Sequence, residues 1–400
     1  MSHHFLREKD DYHYTHPVDL QLCLGCGLSQ LVAPCPEEHL YTNYVTLSSW
    51  KRHPHTTQII EILKKEANLT PSTKVVEVGS NDGSFLNVLK KLGVNDVTGI
   101  EPALDAQQAA LALGIPTVAG FLNPESAQEF VRQHGQADLL ICRHVAEHIL
   151  DLQGFATAIA MLLKPGAYVY FEVPDSQFFF RALDYGAIWE QHTNYFSYET
   201  LRRFLGLAGV SVSSVHSFLF SGIVFGMVGR CAGDALSISC HPQKLTELLE
   251  IARAYARRFD EFKHLTHDFL KRAKAGGKRI AAYGAGSRTT SYINFLDVGG
   301  YLEFIADDQP GKQNRYLPGA RIPILPSARL ASEGIDVCLV GVTTECEEVA
   351  LKPFLSNPTN AIEFYSINPP SNRLLPVWRT LLGANEPVIQ ADNYLGELSW

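Results

Sequence analysis

The chain has 400 residues, 34 Lys+Arg against 42 Asp+Glu, and a formal charge of −8. Its 46% hydrophobic and 19% charged residues are those of a folded globular protein, and its length exceeds what one core usually serves, so two or three domains are expected. Net acidity argues against a general nucleic-acid or anionic-membrane surface, and no run of about 18 apolar residues is present to span a bilayer. The N-terminal MSHHFLREKDDYHYTHP lacks the apolar stretch of a secretory signal. A cytoplasmic location with reduced thiols is therefore expected.

Residues 1–55 are rich in His, Tyr and Cys without a helical period and read as a small N-terminal module. Of the 8 cysteines, only Cys23 and Cys26 stand at metal-ligand spacing. Such a knuckle suits zinc, but zinc takes four ligands. His13, His16, His3 or His4, or the pair Cys35 and His39, are candidates to complete the set; a metal-free turn is the plainer reading. Residues 56–235 alternate strand-like and helix-like segments. KVVEV (74–78), VTGI (97–100), DLLIC (138–142) and AYVYFEV (167–173) read as strands, with helices such as SAQEFVRQHG and FATAIAMLLK between them. This order predicts a parallel sheet covered on both faces. VSVSSVHSF (210–218) and GIVFGMVGRC (222–231) alternate like an antiparallel pair. Residues 236–277 read as a helical connector, with an amphipathic helix over 243–275. Its apolar stripe is Leu248, Ile251, Tyr255, Phe259, Phe262, Leu265 and Phe269. Residues 278–400 begin a second α/β unit with KRIAAYGAG, YLEFIADD, DVCLVGV and FYSIN as strands.

The segment VVEVGSNDGSFLNVLKKLG, followed by VTGIEP, delivers a strand into Gly79-Ser80-Asn81-Asp82-Gly83 and then a helix. Glycines there let the backbone turn sharply and approach a ligand. Glu101 ends the next strand, where a carboxylate accepts hydrogen bonds from both hydroxyls of a ribose. A dinucleotide site would use G-x-G-x-x-G around a pyrophosphate. An acid inside the loop repels pyrophosphate but suits an amino-acid ammonium, which favours S-adenosylmethionine over NAD.

VEVGSNDGSFL, GIEPA and ICRHVAEHI resemble the class I S-adenosylmethionine-dependent methyltransferases. In particular they resemble the C-methyltransferases of deoxysugars attached to a nucleotide. VDLQLCLGCGLSQL resembles that family's N-terminal zinc-binding segment, and QHTNYFS its active-site His-x-x-Tyr-Phe-Ser segment. AAYGAGSRTT with DDQPGKQNRYLPGARIPI resembles its C-terminal domain. The resemblance implies a cofactor site of Gly79, Asn81, Asp82, Gly83 and Glu101. Pro102 and Phe121 would shape the adenine end, and His144 would lie by the sulfonium end. It implies a structural zinc at Cys23 and Cys26. Tyr44, in TNYVTLSSWKRH, is a candidate catalytic or substrate contact, with a packed linker as the alternative; the family's second tyrosine is Thr46 here.

In WEQHTNYFSYETL, His192 is the candidate base and Tyr195 a candidate donor. A neutral imidazole is suited to removing a proton beside a ketone near neutral pH, and the resulting enolate needs a donor or cation. A loop histidine capping a carbonyl is the plainer reading. The family often has His-Glu-His here, whereas this chain has Glu190-Gln191-His192, so a carboxylate beside the base is missing from this stretch. RHVAEHI offers Arg143, His144, Glu147 and His148 as active-site rim or as capping and ion-pair residues, with metal binding a third option. In the C-terminal unit, Gly284, Gly286 and Asp307–Asp308 lack the third glycine of a dinucleotide fingerprint. Arg288 and Lys312 are candidates to meet phosphates or to be solvated.

The expected fold is α/β: a class I methyltransferase (Rossmann-like) seven-stranded sheet, a C-terminal Rossmann-like α/β domain and the small N-terminal module. The expected reaction is S-adenosylmethionine-dependent C-methylation of a nucleotide-linked keto-sugar, with no nucleic-acid or membrane partner. The alternatives are methylation of another natural-product acceptor at C, O or N, an NAD-dependent oxidoreductase, and a non-catalytic cofactor-binding protein.

Overall fold

The computed structural model describes residues 4–36, 39, 55–239, 241–357, 361–383, 386–387 and 398–399. Strands β1 (Leu20–Leu22) and β2 (Ser29–Leu31) form an N-terminal hairpin. Then come β3 (Val75–Val78), β4 (Val97–Glu101), β5 (Thr117–Ala119), β6 (Ala137–Arg143) and β7 (Leu163–Pro174), paired in parallel. After the two-residue β8 (Asn194–Tyr195), the antiparallel pair β9 (Val210–Leu219) and β10 (Ile223–Cys231) completes the sheet. The order β9-β10-β7-β6-β3-β4-β5 is the seven-stranded class I methyltransferase sheet. The strand Leu398–Ser399 adds an eighth member beside β9.

The central strands are apolar runs because both faces are covered. Val76, Leu140 and Phe171 pack on Phe130, Phe155 and Ile159 of the helices Pro124–His134 and Leu152–Leu162. Val75, Leu139 and Tyr170 point the other way, onto Ile59, Leu63, Leu86 and Leu89 of the helices Thr56–Glu66 and Ser84–Lys91. Each such buried aliphatic side chain contributes roughly 1.5–3 kcal/mol. The helix Pro124–His134 starts two residues before SAQEFVRQHG because Asn123 and Ser126 form a capping box ahead of Pro124.

The second unit has six strands: β11 (Ile280–Tyr283), β12 (Ile305–Ala306), β13 (Arg315–Tyr316), β14 (Pro323–Leu325), β15 (Val337–Val340) and β16 (Glu363–Ser366). Their order is β13-β14-β12-β11-β15-β16, with β13 antiparallel to β14. Within YLEFIADD only Ile305–Ala306 is strand; Tyr301 instead meets His267 of the long helix through its hydroxyl.

That helix, Pro242–Ala275, is capped by the His241 side chain, has Pro242 in its first turn and stops at Gly276. Leu248, Tyr255, Phe262 and Leu270 are buried along it, while Ile251, Phe259, Leu265 and Phe269 flank them. It holds the two units together. Tyr185 stacks on Tyr255 with ring centroids 4.4 Å apart and donates to the Tyr255 carbonyl, and Trp378 lies edge-on to Phe262. Trp378 donates from its indole N–H to the Ala182 carbonyl, and Arg288 is buried in an ion pair with Asp184. Among the described residues no helix is long and apolar enough to cross a membrane.

Candidate active site

Between the units lies a cleft of about 3090 Å³, lined by the carboxyl ends of β3, β4 and β6 on one side and of β11 on the other. Gly79 turns the chain out of β3 at φ +69°. A Cβ at Gly79 would sit 2.3 Å from Val145 Cγ2, so only glycine passes beneath this wall. Gly83, at φ +73°, precedes the helix Ser84–Lys91 and packs on Ala110 behind the cleft. Glu101 is buried and accepts from the backbone N–H of Asn81 and of Ala103, each at 2.9 Å. Burial raises its pKa, and those two donors pull it back. This shared contact welds the end of β4 to the glycine loop.

The next β-strand ends carry a buried charge network. Arg143 pairs with Glu77 at 2.9 Å and lies over the Phe85 ring. Burial pushes the Glu77 carboxyl up to about 7 against the pull of Arg143. Glu172, near the carboxyl end of the largely apolar strand β7, is fully buried and receives His55, His144 and the Tyr170 hydroxyl. His144 Nε2 is 3.0 Å from Glu172 Oε1, and its Nδ1 is 3.4 Å from Glu147 Oε1. Burial alone would lower the His144 pKa. The two carboxylates reverse this and hold it at about 9, so the ring is an imidazolium at neutral pH. Burial likewise opposes charge on Glu172, yet His55 and His144 keep it well below the usual range. His144 adopts φ +55°, an unusual backbone state for a side-chain-bearing residue. Sequence reasoning did not single out Glu172 or His55. The signal was there: an acid inside AYVYFEV is costly to bury unless it is paired.

His192 lies in a loop tied to this network. Thr193 N–H donates to the Glu147 carbonyl at 2.8 Å, and the Asn194 amide donates to the carbonyls of Ala146 and Ile149. On its other side β8 pairs with β2, and Leu31 N–H donates to the Thr193 carbonyl. The N-terminal hairpin thus clamps the His192 loop. The His192 ring is buried against Trp189, centroids 4.5 Å apart, and against His148 at 4.9 Å.

Of the residues singled out from the sequence, Gly79, Asn81, Asp82, Glu101, Pro102, Phe121, His144 and His192 line the one cleft. Pro102 and Phe121 are exposed at its rim. Gly83 lies behind it. Tyr195 is off the cleft: its hydroxyl accepts from Trp189 N–H at 3.1 Å and is buried among core aromatics, which raises its pKa. It shapes the loop that carries Trp189. Tyr44 lies outside the described residues. Cys23 and Cys26 sit at the tip of the β1–β2 hairpin, away from the cleft. Gly27 N–H donates to the Cys23 carbonyl, a knuckle turn, but among the described residues no third Cys, His, Asp or Glu joins them at ligand distance. The residues described are therefore two of the four donors that zinc takes. Arg288 turns away from any phosphate role, since its guanidinium is committed to Asp184 and to the Ser221 carbonyl.

Residues 51–215 match the methyltransferase domain family, and residues 242–349 match the C-methyltransferase C-terminal domain family. The C-methyltransferase NovU of Streptomyces niveus is 26% identical over 354 residues, 85% of this chain and 84% of that protein. A ubiquinone biosynthesis O-methyltransferase of Photorhabdus laumondii is 34% identical over 103 residues, covering 24% of this chain and 41% of that one. A solved methyltransferase from Anabaena variabilis, 17% identical, covers 48% of this chain and 92% of that one with a TM-score of 0.39. A glycine loop and buried carboxylate suited to a nucleoside, at the end of a seven-stranded sheet, accord with the methyltransferase-domain match. The chain is an S-adenosylmethionine-dependent C-methyltransferase, built from a methyltransferase domain and a C-methyltransferase C-terminal domain.

Proposed function

We propose that the methyl group goes to a carbon beside the ketone of a deoxysugar carried on a nucleotide, with His192 as general base. One juxtaposition carries this reading: the Gly79–Glu101 pocket and the His192 ring open onto a single cleft faced by Arg315 and Lys312 of the C-terminal unit. Bound S-adenosylmethionine supplies an electrophilic methyl group on a sulfonium. Glu101 would hold the ribose hydroxyls, and Asp82 the ammonium of the methionine end. His192 takes the proton from the carbon beside the ketone, and the electron pair of that C–H bond becomes an enolate. The enolate carbon forms the new C–C bond as the methyl–sulfur bond breaks, leaving S-adenosylhomocysteine. Holding donor and acceptor in one cleft supplies much of the rate. Arg315 suits the diphosphate of the acceptor, whereas Lys312 beside it is already paired with Asp307 at 3.3 Å.

The test uses a thymidine-diphosphate-linked 4-keto-6-deoxyhexose in D2O. The wild-type protein should exchange deuterium into the carbon beside the ketone without methyl donor, and release S-adenosylhomocysteine when donor is added. His192→Ala should lose both. Undiminished exchange in that variant removes His192 from the mechanism, and absence of any sugar-nucleotide binding removes the acceptor class.

A further inference from the structure

Glu147 is a buried carboxylate that the proposed reaction leaves without a task. Its side chain is 2% exposed, and neither oxygen accepts a hydrogen bond from a described residue. His144 beside it is a charge contact at 3.4 Å, while the other edge of that ring is taken by Glu172. That ion pair offsets its charge, but a buried carboxylate with no well-formed hydrogen bond to either oxygen is still under-satisfied, so its position calls for a reason. The backbone offers it no escape: the Glu147 carbonyl accepts from Thr193 N–H, and the Asn194 amide grips the carbonyls on either side.

The free side of this carboxylate faces two imidazoles. An oxygen of Glu147, a nitrogen of His148 and a nitrogen of His192 all lie within 4.8 Å of one another. That spacing is about the span of two hydrogen bonds of about 2.8 Å meeting at one water. His148 is fixed: its Nδ1 lies 2.8 Å from the Gln191 carbonyl, which can only accept, so Nδ1 carries the proton. The same carbonyl contact anchors the residue immediately before His192.

We infer that Glu147 is the positioning residue for His192, holding its ring in one tautomer through a bridging water and stabilising the imidazolium formed when His192 takes the substrate proton. The inference rests on the proposed base role of His192. It places on the β6–Leu152 loop the carboxylate that Gln191 cannot provide. The charged groups facing this pair are His144 and Glu172 behind Glu147, His148 on the same turn, the Arg143–Glu77 pair beneath, and Glu190 beside His192.

The test is a nitrogen-15 NMR titration of the full chain labelled at histidine and saturated with S-adenosylhomocysteine, with His192 assigned by the loss of its signals in His192→Gln. Wild type should show one His192 ring tautomer. Glu147→Gln should give a mixture and move the His192 midpoint down by about one pH unit, because an anion beside the ring no longer favours its protonated form. Glu147→Asp should fall between them, and serves alone if the glutamine variant does not fold. Binding of S-adenosylhomocysteine should stay within twofold, while kcat falls about tenfold or more with KM for the methyl donor unchanged. Identical His192 tautomer and midpoint in wild type and both variants overturn the inference. So does a joint change of the His148 and His192 signals on chelator dialysis that added Zn2+ reverses, since the three residues would then hold a metal. Failure of the base role is seen separately, as full methyl transfer by His192→Gln with the NMR coupling intact.

Discussion

The chain contains two strand–glycine–helix turns with an acid at the end of the following strand, and they do different work. In the first, Glu101 grips the Asn81 N–H of its own loop. In the second, Asp307 grips the Ala285 N–H in the same way, at 2.8 Å. Among the described residues the first acid has only backbone donors, Asn81 and Ala103, and stands at the open cleft. The second is also engaged by Lys312 at 3.3 Å and by Gln309 N–H at 2.9 Å. Its loop sends Arg288 inward to Asp184 rather than presenting a helix end to a phosphate. Similar backbones thus become a ligand site or an interdomain joint according to where the neighbouring charges are spent.

The largest expected effect breaks the second turn. Arg288→Ala leaves Asp184 buried and unpaired between the units and should cost about 3–5 kcal/mol of stability, read by denaturant unfolding. A loss under about 1 kcal/mol would mean that the joint does not depend on this pair. The same substitution in the two acids sharpens the contrast. Glu101→Ala should weaken S-adenosylhomocysteine binding about 10- to 100-fold by calorimetry, whereas Asp307→Ala should leave it within twofold. Equal losses would refute the division of labour. NADH should bind neither turn.

The network behind the first turn gives a pH signature. The folded His144 pKa of about 9 is above its ordinary 6.5, so its stabilisation is complete below about 6.5 and is lost as pH rises through about 9. Glu172 is held below its ordinary 4.5, so its contribution is present above that value and lost on acidification. The difference in melting temperature between wild type and Glu172→Gln should be greatest between about pH 4.5 and 6.5 and shrink towards pH 10. A pH-independent difference would show that His144 is not held as a cation. The smallest effect concerns the knuckle. With two of four zinc donors among the described residues, Cys23→Ser with Cys26→Ser should cost under about 1 kcal/mol. A loss of several kcal/mol, with zinc released, would show a complete site.

Much of the fold was legible because it follows from local pattern. The apolar runs of β3, β6 and β7, the spacing of Tyr255 and Phe262, and the glycines flanking Asn81 and Asp82 each report a short-range rule of burial or backbone freedom. Glu101 was legible for the same reason, since an acid ending a parallel strand beside a glycine loop needs no distant partner to be recognised. What the sequence could not order was the set of long-range polar contacts. Glu172 meets His55 across 117 residues, and Glu147 meets the His192 loop across more than 40. Tyr195, attractive by motif, is turned to the Trp189 backbone by the pairing of β8 with the N-terminal hairpin. Composition and periodicity determine which faces are buried, because burial depends on each residue's own surface. Only the tertiary structure decides which buried charges face one another, because that depends on how strands far apart in the chain come to lie side by side.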